Sequence, residues 1–316
     1  MLTALAAAAT IAAIPFPTNI DFDPAGGMWV TSGAGAAQSS DGVWYVPKGA
    51  HKARHVIRGI HTALGLHWHG GELYVSHVVT PSKGRISAYT SFDGSRFAKK
   101  RTVLPSLRIG RHTVDSIISD PVTGRLLVGV GSVADHSGTA GRVISFRPDG
   151  REARVVATGL RNPYGLAFVP GTHRLLITDN ARDDLGLTRP PEEVDLADLD
   201  APGRPHFGFP RCPSTCLRPI AKLPPHASSD GLAVKRGPGG STIAYVAEFG
   251  SSFSRNHTGH DVRRIVLRPK PGGGYTTKVS VLARFAQNDP LGAAIGPDGD
   301  LYVTLLISGK VVRYDV

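Results

Sequence analysis

The sequence predicts an all-β fold, a six-bladed β-propeller built of four-stranded antiparallel blades. Three observations lead to it. Gly and Pro supply 38 and 24 of the 316 residues, which is too many helix breakers for long helices. Short apolar segments alternate with turn residues along the chain. One phrase recurs six times, at a spacing of roughly 45 to 65 residues, as expected for propeller blades.

Each copy of the phrase has an alternating apolar run, a turn of Pro, Gly or Asp, and a second run rich in β-branched residues. The copies occupy residues 20–31, 64–76, 116–129, 165–178, 231–248 and 292–304. A third strand is predicted after several of them, at 84–89, 141–146, 262–267 and 309–314. Two strands and a third after a further turn are the inner part of a four-stranded blade.

Closure of the ring needs a strand from the start of the chain. The sequence ends at Val316, directly after the third strand of the last copy, and an unpaired sheet edge would be open to other chains. Residues 9–16 can supply the missing strand. Residues 1–14 are also apolar and Ala-rich, as in a signal-peptide remnant, and both interpretations stay open. Residues 15–316 are interpreted as a single propeller domain.

Charge and cysteines limit the partners and the compartment. The net charge is +11, but the cations are scattered and form no basic stripe, so nucleic-acid binding is not expected. No segment is long and apolar enough for stable membrane insertion. Cys212 and Cys216 lack further zinc ligands nearby, which favours a local disulfide. We therefore expect a secreted, periplasmic or cell-surface protein.

Functional residues are sought where inner strands begin, because those positions face the central channel. His112 precedes the third repeat, where an imidazole with an ordinary pKa near ~6.5 could take a hydroxyl proton. Arg161 and Asn162 precede the fourth repeat, and an Arg fork suits carboxylate or quinone oxygens. The loop 179–186 is the richest source of oxygen ligands for a hard cation such as Ca²⁺.

Four segments carry a resemblance to a known family: GLRNPYGLAF at 159–168, LITDN at 176–180, FGFPRC at 207–212 and YVAEFG at 245–250. With them the chain resembles the soluble quinoprotein glucose/sorbosone dehydrogenases. That resemblance implies a six-bladed propeller that binds pyrroloquinoline quinone (PQQ) and Ca²⁺, oxidises a sugar and passes electrons to an external acceptor.

The resemblance also implies roles for individual residues. His112 would be the catalytic base, Arg161 would polarise the quinone oxygen, and Asn162 would contact the cofactor. Asp179, Asn180 and Ala181 would stand at the calcium ion. Lys222 and Arg255 are the cations expected to bind the cofactor carboxylates, because the late segment 305–308 is apolar.

Two other functions remain open from the sequence. A gluconolactonase-like lactonase would hold one divalent metal on the channel axis, and Glu248, Asn162 and Asp179 could supply its ligands. A propeller without enzymatic activity would bind a protein or a glycan.

Overall fold

The computed structural model describes residues 8–33, 35–136, 139–251 and 258–316. These residues form 24 strands in six antiparallel sheets of four, with one short 3₁₀ turn at Pro238–Gly240. The predicted six-bladed, all-β propeller is therefore confirmed. No helix in the described ranges is long and apolar enough to cross a membrane.

The strands follow the chain in simple order. They are β1 (Ala8–Ala13), β2 (Pro17–Phe22), β3 (Met28–Ser32), β4 (Gly42–Val46), β5 (Arg54–Arg58), β6 (His61–His69), β7 (Glu72–Thr80), β8 (Lys83–Phe92), β9 (Phe97–Arg108), β10 (Val114–Ser119), β11 (Leu126–Val130), β12 (Gly141–Phe146), β13 (Arg154–Leu160), β14 (Pro163–Phe168), β15 (Arg174–Asp179), β16 (Glu192–Asp198), β17 (Ala221–Leu223), β18 (Ser229–Arg236), β19 (Thr242–Glu248), β20 (Asp261–Pro269), β21 (Tyr275–Arg284), β22 (Pro290–Ile295), β23 (Leu301–Leu305) and β24 (Lys310–Tyr314).

Blades 1 to 5 each use four consecutive strands, beginning with β2, β6, β10, β14 and β18. Blade 6 combines β22, β23 and β24 with β1 as its outermost strand. The β1–β24 pairing is antiparallel and runs from Ala8 opposite Tyr314 to Ala13 opposite Lys310. The two ends of the described chain thus share one sheet, and this pairing closes the ring.

The apolar core lies between neighbouring blades, because each strand presents alternate residues to the blade on either side. Between blades 2 and 3, for example, Ile86 and Leu104 pack with Leu126, Val128 and Phe146. Small and β-branched residues dominate these layers, which explains how a chain with 7% aromatic residues fills its interior.

The inner strands crowd together at the axis. A Cβ added at Gly65 would lie 2.0 Å from the carbonyl oxygen of Asp115 in the next blade, so only glycine fits there. A side-chain hydroxyl also ties the second strand of blade 4 to the inner strand of blade 5, since Oγ1 of Thr178 on β15 donates to Asp230 O on β18 at 2.6 Å.

Two side chains join inner strands of blades that are not neighbours in the ring. The hydroxyl of Tyr164 in blade 4 lies 3.5 Å from the carbonyl oxygen of Thr18 in blade 1, on the opposite side of the ring. Nδ2 of Asn19 donates to Oγ of Ser116 in blade 3 at 2.8 Å. Inner strands of non-neighbouring blades are therefore in direct contact near the axis.

Outside the ring, the long connection between β16 and β17 carries the two cysteines. Cys212 and Cys216 form a disulfide, as the sequence predicts.

Candidate active site

A cavity of about 180 Å³ lies at the mouth of the channel, where blades 3, 4 and 5 begin. Its lining comes from the segments before three inner strands, the loop after β15, the start of β16 and the segment after β19. The lining residues are His112, Arg161, Asn162, Asn180, Ala181, Asp183, Glu192, His226, Ser228, Gly250 and Ser251. Two of the predicted catalytic residues, His112 and Arg161, therefore meet in one cavity.

A second space of about 250 Å³ leads from this cavity toward the axis and shares His112, Asn162 and Ser228 with it. Its apolar lining residues are Leu64, Tyr164, Phe249, Leu291 and Leu306. Asp115 and Asp230 are its acidic lining residues. A largely apolar lining with a few polar groups suits a small hydroxylated molecule.

The backbone of Ser132 brings His112 and Arg161 together. Its carbonyl accepts the N–H of His112 at 3.1 Å, and its own N–H donates to Arg161 O at 2.7 Å. The preceding residue, Gly131, has no room for a side chain, because a Cβ would lie 2.1 Å from Cβ of His112 and 2.7 Å from Oδ1 of Asn162. The end of β11 thus forms the bridge between two segments that are distant in sequence.

The guanidinium of Arg161 is fixed by three oxygen acceptors. Nε donates to Oδ1 of Asp135 at 2.9 Å, Nη1 donates to Asn180 O at 3.2 Å, and Nη2 donates to Oδ2 of Asp183 at 3.1 Å. The side chain is only 4% exposed. Asp135 also pairs with Nε of Arg111 at 2.7 Å. A buried cation held on every nitrogen keeps one orientation.

His112 is a neutral imidazole. Burial, and then the positive charge of Arg161, lower the pKa of His112 to about 3, although Asp135 acts in the opposite direction. Its Nε2 is buried and has no hydrogen-bond partner in the described part of the chain. The expectation of an ordinary pKa near ~6.5 was wrong, because the sequence did not reveal how deeply the ring lies beside a cation.

The predicted calcium loop uses its oxygens within the protein. Both carboxylate oxygens of Asp179 accept the N–H of Arg161, and Oδ1 also accepts the N–H of Asn162 at 2.7 Å. The carbonyl of Asn180 accepts the guanidinium, and the N–H of Ala181 donates to Glu192 at 2.9 Å. Asp179 does not line the cavity. The oxygens of Asp179 and the carbonyl of Asn180 therefore do not fit a calcium site at this loop.

Burial has a strong effect on the acids around the cavity. It raises the pKa of Asp179 to about 7 and that of Glu192 to about 8. It also raises the pKa of Asp230 to about 7, and burial together with Asp230 raises the pKa of Asp115 well above its usual range. The interior of the ring therefore favours protonated acids or a bound cation.

The two predicted carboxylate-binding cations do not meet in the cavity. Lys222 is exposed on β17, the outermost strand of blade 4, opposite Glu193. The cavity lies at the other edge of that blade, so the expected role of Lys222 in cofactor binding has no geometric support. Arg255 lies outside the described residues.

Of the three residues expected to bind an axial metal, Glu248, Asn162 and Asp179, only Asn162 lines the two spaces. Glu248 is buried at the end of β19, where Nε of Arg263 donates to it at 2.9 Å, and it lines neither space. Asn162 does face the axis. Its Oδ1 and Oδ2 of Asp115 are buried without a hydrogen-bond partner among the residues that the structure describes.

Asp115 and Asp230 are the site residues that sequence reasoning missed. Each stands directly before the small residue at which an inner strand approaches its neighbour, namely Ser116 and Gly231. Their shared position, one residue before the start of a repeat copy, could have identified them from the sequence. Within the described ranges, no group of three or more His, Cys, Asp or Glu side chains could hold a metal ion, so an axial cation would need amide and solvent oxygens as well.

The model of one protein family matches residues 17–181, and its description is SMP-30/Gluconolactonase/LRE-like region. The matched range is more than half of the chain and covers blades 1 to 3 and the start of blade 4. The chain belongs to the SMP-30/gluconolactonase/LRE-like family. The matched range includes His112, Arg161 and Asn162.

This member of the SMP-30/gluconolactonase/LRE-like family is similar in fold to several solved structures. It is similar to the holo PQQ domain of pyranose dehydrogenase from Coprinopsis cinerea, with 17% identity, TM-score 0.76, and 98% and 95% of the two chains covered. A calcium structure of Carbohydrate-Active Enzymes family AA12 from Trichoderma reesei has 18% identity and a TM-score of 0.79, and the alignment covers 98% of this chain and 96% of that one. The apo soluble aldose sugar dehydrogenase from Escherichia coli has 17% identity and a TM-score of 0.66, and the alignment covers 98% of this chain and 99% of that one.

One curated protein is also similar, an uncharacterized protein of Borreliella burgdorferi. It is 25% identical over 204 residues, which cover 61% of this chain and 51% of the relative. The alignment thus spans about half the length of that relative.

Proposed function

We propose that this protein oxidises a sugar, an aldose or a sorbosone-like sugar, by hydride transfer to bound PQQ. One observation carries the proposal: the neutral imidazole of His112 and the fixed guanidinium of Arg161 line one cavity. A base and a cation side by side are what removal of a hydroxyl proton and stabilisation of a developing oxyanion require. The solved propellers of similar fold include a PQQ domain and an aldose sugar dehydrogenase.

The cavity offers polar atoms that a bound molecule would satisfy. Nε2 of His112 and Oδ1 of Asn162 are buried without a partner in the described ranges, and both residues line the two connected spaces. Together the spaces fall in the usual range of roughly 300–1,000 Å³ for a ligand site. PQQ, when bound, supplies a two-electron acceptor for the hydride.

His112, Arg161 and the apolar lining of the cavity would each have a separate role in the reaction. Nε2 of His112 accepts the proton of the sugar hydroxyl, and the carboxylate of Asp135 stabilises the resulting imidazolium from 3.8 Å. Arg161 stabilises negative charge on an oxygen beside it without moving, since its partners already hold it. The apolar wall of Leu64, Leu291 and Leu306 excludes water from the sugar ring.

No step of this mechanism is assigned to calcium, because the carboxylate of Asp179 already accepts the backbone N–H groups of Arg161 and Asn162. The electron acceptor would be an external molecule. We also propose a secreted, periplasmic or cell-surface location, since the Cys212–Cys216 disulfide suits an oxidising compartment.

A second candidate function is metal-assisted lactone hydrolysis. The unpartnered oxygens of Asp115 and Asn162, with Asp230 beside them, are hard donors of the kind that divalent cations prefer. A cation there would offset the cost of burying two acids, and it would polarise a lactone carbonyl. Membership of the SMP-30/gluconolactonase/LRE-like family adds weight to this alternative.

One set of assays separates the two functions. The purified protein is incubated with PQQ, with and without Ca²⁺, and dye reduction is measured with several aldoses; lactone hydrolysis is measured with added divalent cations. We expect dye reduction that falls at least about 100-fold in His112→Gln, the usual contribution of a general base. Hydrolysis without PQQ that is lost in Asp115→Asn would support the lactonase instead. Absence of dye reduction in the unaltered protein contradicts the first proposal.

A further inference from the structure

The carboxylate of Asp183 bridges two buried groups of the cavity. Its Oδ2 lies 3.1 Å from Nη2 of Arg161, and its Oδ1 lies 3.4 Å from Nδ1 of His226. Nε2 of His226 donates to the carbonyl oxygen of Gly186 at 2.7 Å, so Nδ1 donates to the carboxylate of Asp183 when the ring is doubly protonated. A carboxylate that accepts from a guanidinium and from an imidazolium is held as the carboxylate of a ligand would be.

The two receiving groups are built into the fold. The side chains of Arg161 and His226 are 4% and 6% exposed. Asp135 and the carbonyl of Asn180 fix Arg161 independently of Asp183. His226 adopts a left-handed backbone conformation, with φ of 61°, which costs free energy in a residue with a side chain. Such strain is typical of residues that are held in place for a ligand.

Asp183, in contrast, lies at the protein surface. The side chain of Asp183 is 35% exposed and lies in the exposed run 183–189. Rotation of the Asp183 side chain into solvent would hydrate that carboxylate, while Asp135 and the carbonyl of Asn180 would still hold the buried guanidinium of Arg161. The rotation would free Nη2 of Arg161 and Nδ1 of His226, next to the 180 Å³ cavity that both residues line.

We infer that Arg161 and His226 form a carboxylate-binding subsite, and that Asp183 occupies it as an internal competitor until the carboxylate of a ligand replaces it. The ligand class is a carboxylate on a small polar body, either a sugar acid or the carboxylated quinone. The inference deepens the proposed function, since it supplies the anchoring cations that Lys222 does not. Its test needs no turnover, and therefore stands apart from the proposed activity.

The test is a titration calorimetry series with gluconate and with PQQ, each alone in metal-free buffer. The variants are Asp183→Ala and, as the matched control, Asp184→Ala, whose carboxylate pairs with Arg182 outside the cavity. A tethered competitor acts at a millimolar or higher effective concentration, so its removal should tighten binding of the carboxylate by about tenfold or more. Asp184→Ala should bind as the unaltered protein does.

Two further arms make the result specific. Glucose, which lacks the carboxylate, should gain nothing from Asp183→Ala, and the double variant Asp183→Ala with His226→Gln should lose the gain. Tightening of gluconate alone identifies a sugar-acid subsite, and tightening of PQQ alone identifies a cofactor anchor. Equal affinities in Asp183→Ala and the unaltered protein, or an equal gain for glucose, overturn the inference. Thermal melts establish that every variant is folded. A protein without dye reduction that still shows the gain would contradict only the proposed function.

Discussion

Nε2 of His112 lies 3.8 Å from Oδ1 of Asp135, close enough for attraction and too far for a hydrogen bond. The carboxylate is committed to Arg161 and Arg111 instead. One loop carboxylate thus orders two cations and lies beside the imidazole, although Asp135 belongs to no recognisable sequence motif. Its loss should affect both the stability of the ring and the chemistry of the cavity.

Asp135→Asn should lower the free energy of unfolding by about 2 kcal/mol. The substitution keeps the shape but leaves the buried guanidinium of Arg161 with weaker compensation, and breaking a fully buried pair costs ~3–5 kcal/mol. The smaller figure reflects the remaining ion pair with Asp183. Urea denaturation measures the change. Asp184→Asn, at an exposed pair, should change stability by less than ~1 kcal/mol; equal effects of the two variants would contradict the buried-pair argument.

His173 should make the stability depend on pH. Its Nδ1 lies 2.6 Å from Asp200 and its Nε2 lies 3.0 Å from Asp120, so it joins blades 3 and 4. Burial lowers the pKa of His173, but the hydrogen bonds to the two carboxylates outweigh it and raise the pKa above 6.5. The stabilisation is therefore fully present below about pH 6.5 and is lost as the pH rises through the raised value.

The measurement is the midpoint of urea denaturation of the unaltered protein and of His173→Gln between pH 5 and pH 9. The difference between them should be largest at low pH and shrink toward pH 9. A difference that grows with pH would show that the imidazole binds these carboxylates in its neutral form.

Gly65→Ala should destabilise the ring by about 1–3 kcal/mol, the usual cost of overpacking. The new Cβ would lie 2.0 Å from the carbonyl oxygen of Asp115, a backbone atom that cannot rotate away. Gly124→Asn is the control, since Gly124 has φ of 66° and no described atom lies within 4 Å of the added Cβ. Thermal melts compare the two. Similar melting temperatures for Gly65→Ala and the unaltered protein would mean that the inner strands can separate freely.

Removal of residues 1–13 should make the protein aggregate. β24 would lose its partner, and its backbone groups would form an open edge next to buried Val311 and Val312. A chain that begins at Ala8 keeps β1 and is the matched control. Size-exclusion chromatography and thermal melts report the outcome, and a monomeric, equally stable product of the longer truncation would contradict a closing role for β1.

The inner half of each blade was predictable, because the strands there carry alternating apolar residues and clear turns. Segment 20–31, for instance, overlaps half of β2 and most of β3. The outermost strands were not predictable from pattern. In β21 most residues are exposed or half-buried, so no period of two appears. β17 has three residues and follows a long connection, and its pairing with β16 depends on tertiary packing.

The candidate site was predictable in part for the same reason. His112 and Arg161 stand where inner strands begin, and the ring brings such positions together. The groups that set their properties lie elsewhere: Asp135 and Asp183 belong to loops whose course depends on contacts across blades. Asp115 and Asp230 line the same space only because the six blades surround one axis. Their proximity could therefore not be predicted from any local spacing in the sequence.

The contacts of Tyr164 with Thr18 and of Asn19 with Ser116 join blades that share no sheet and are not neighbours in the ring. Blade 1 therefore touches blades 3 and 4 directly as well as through the blades between them. A substitution at Tyr164 or Asn19 should consequently disturb two distant parts of the ring at once.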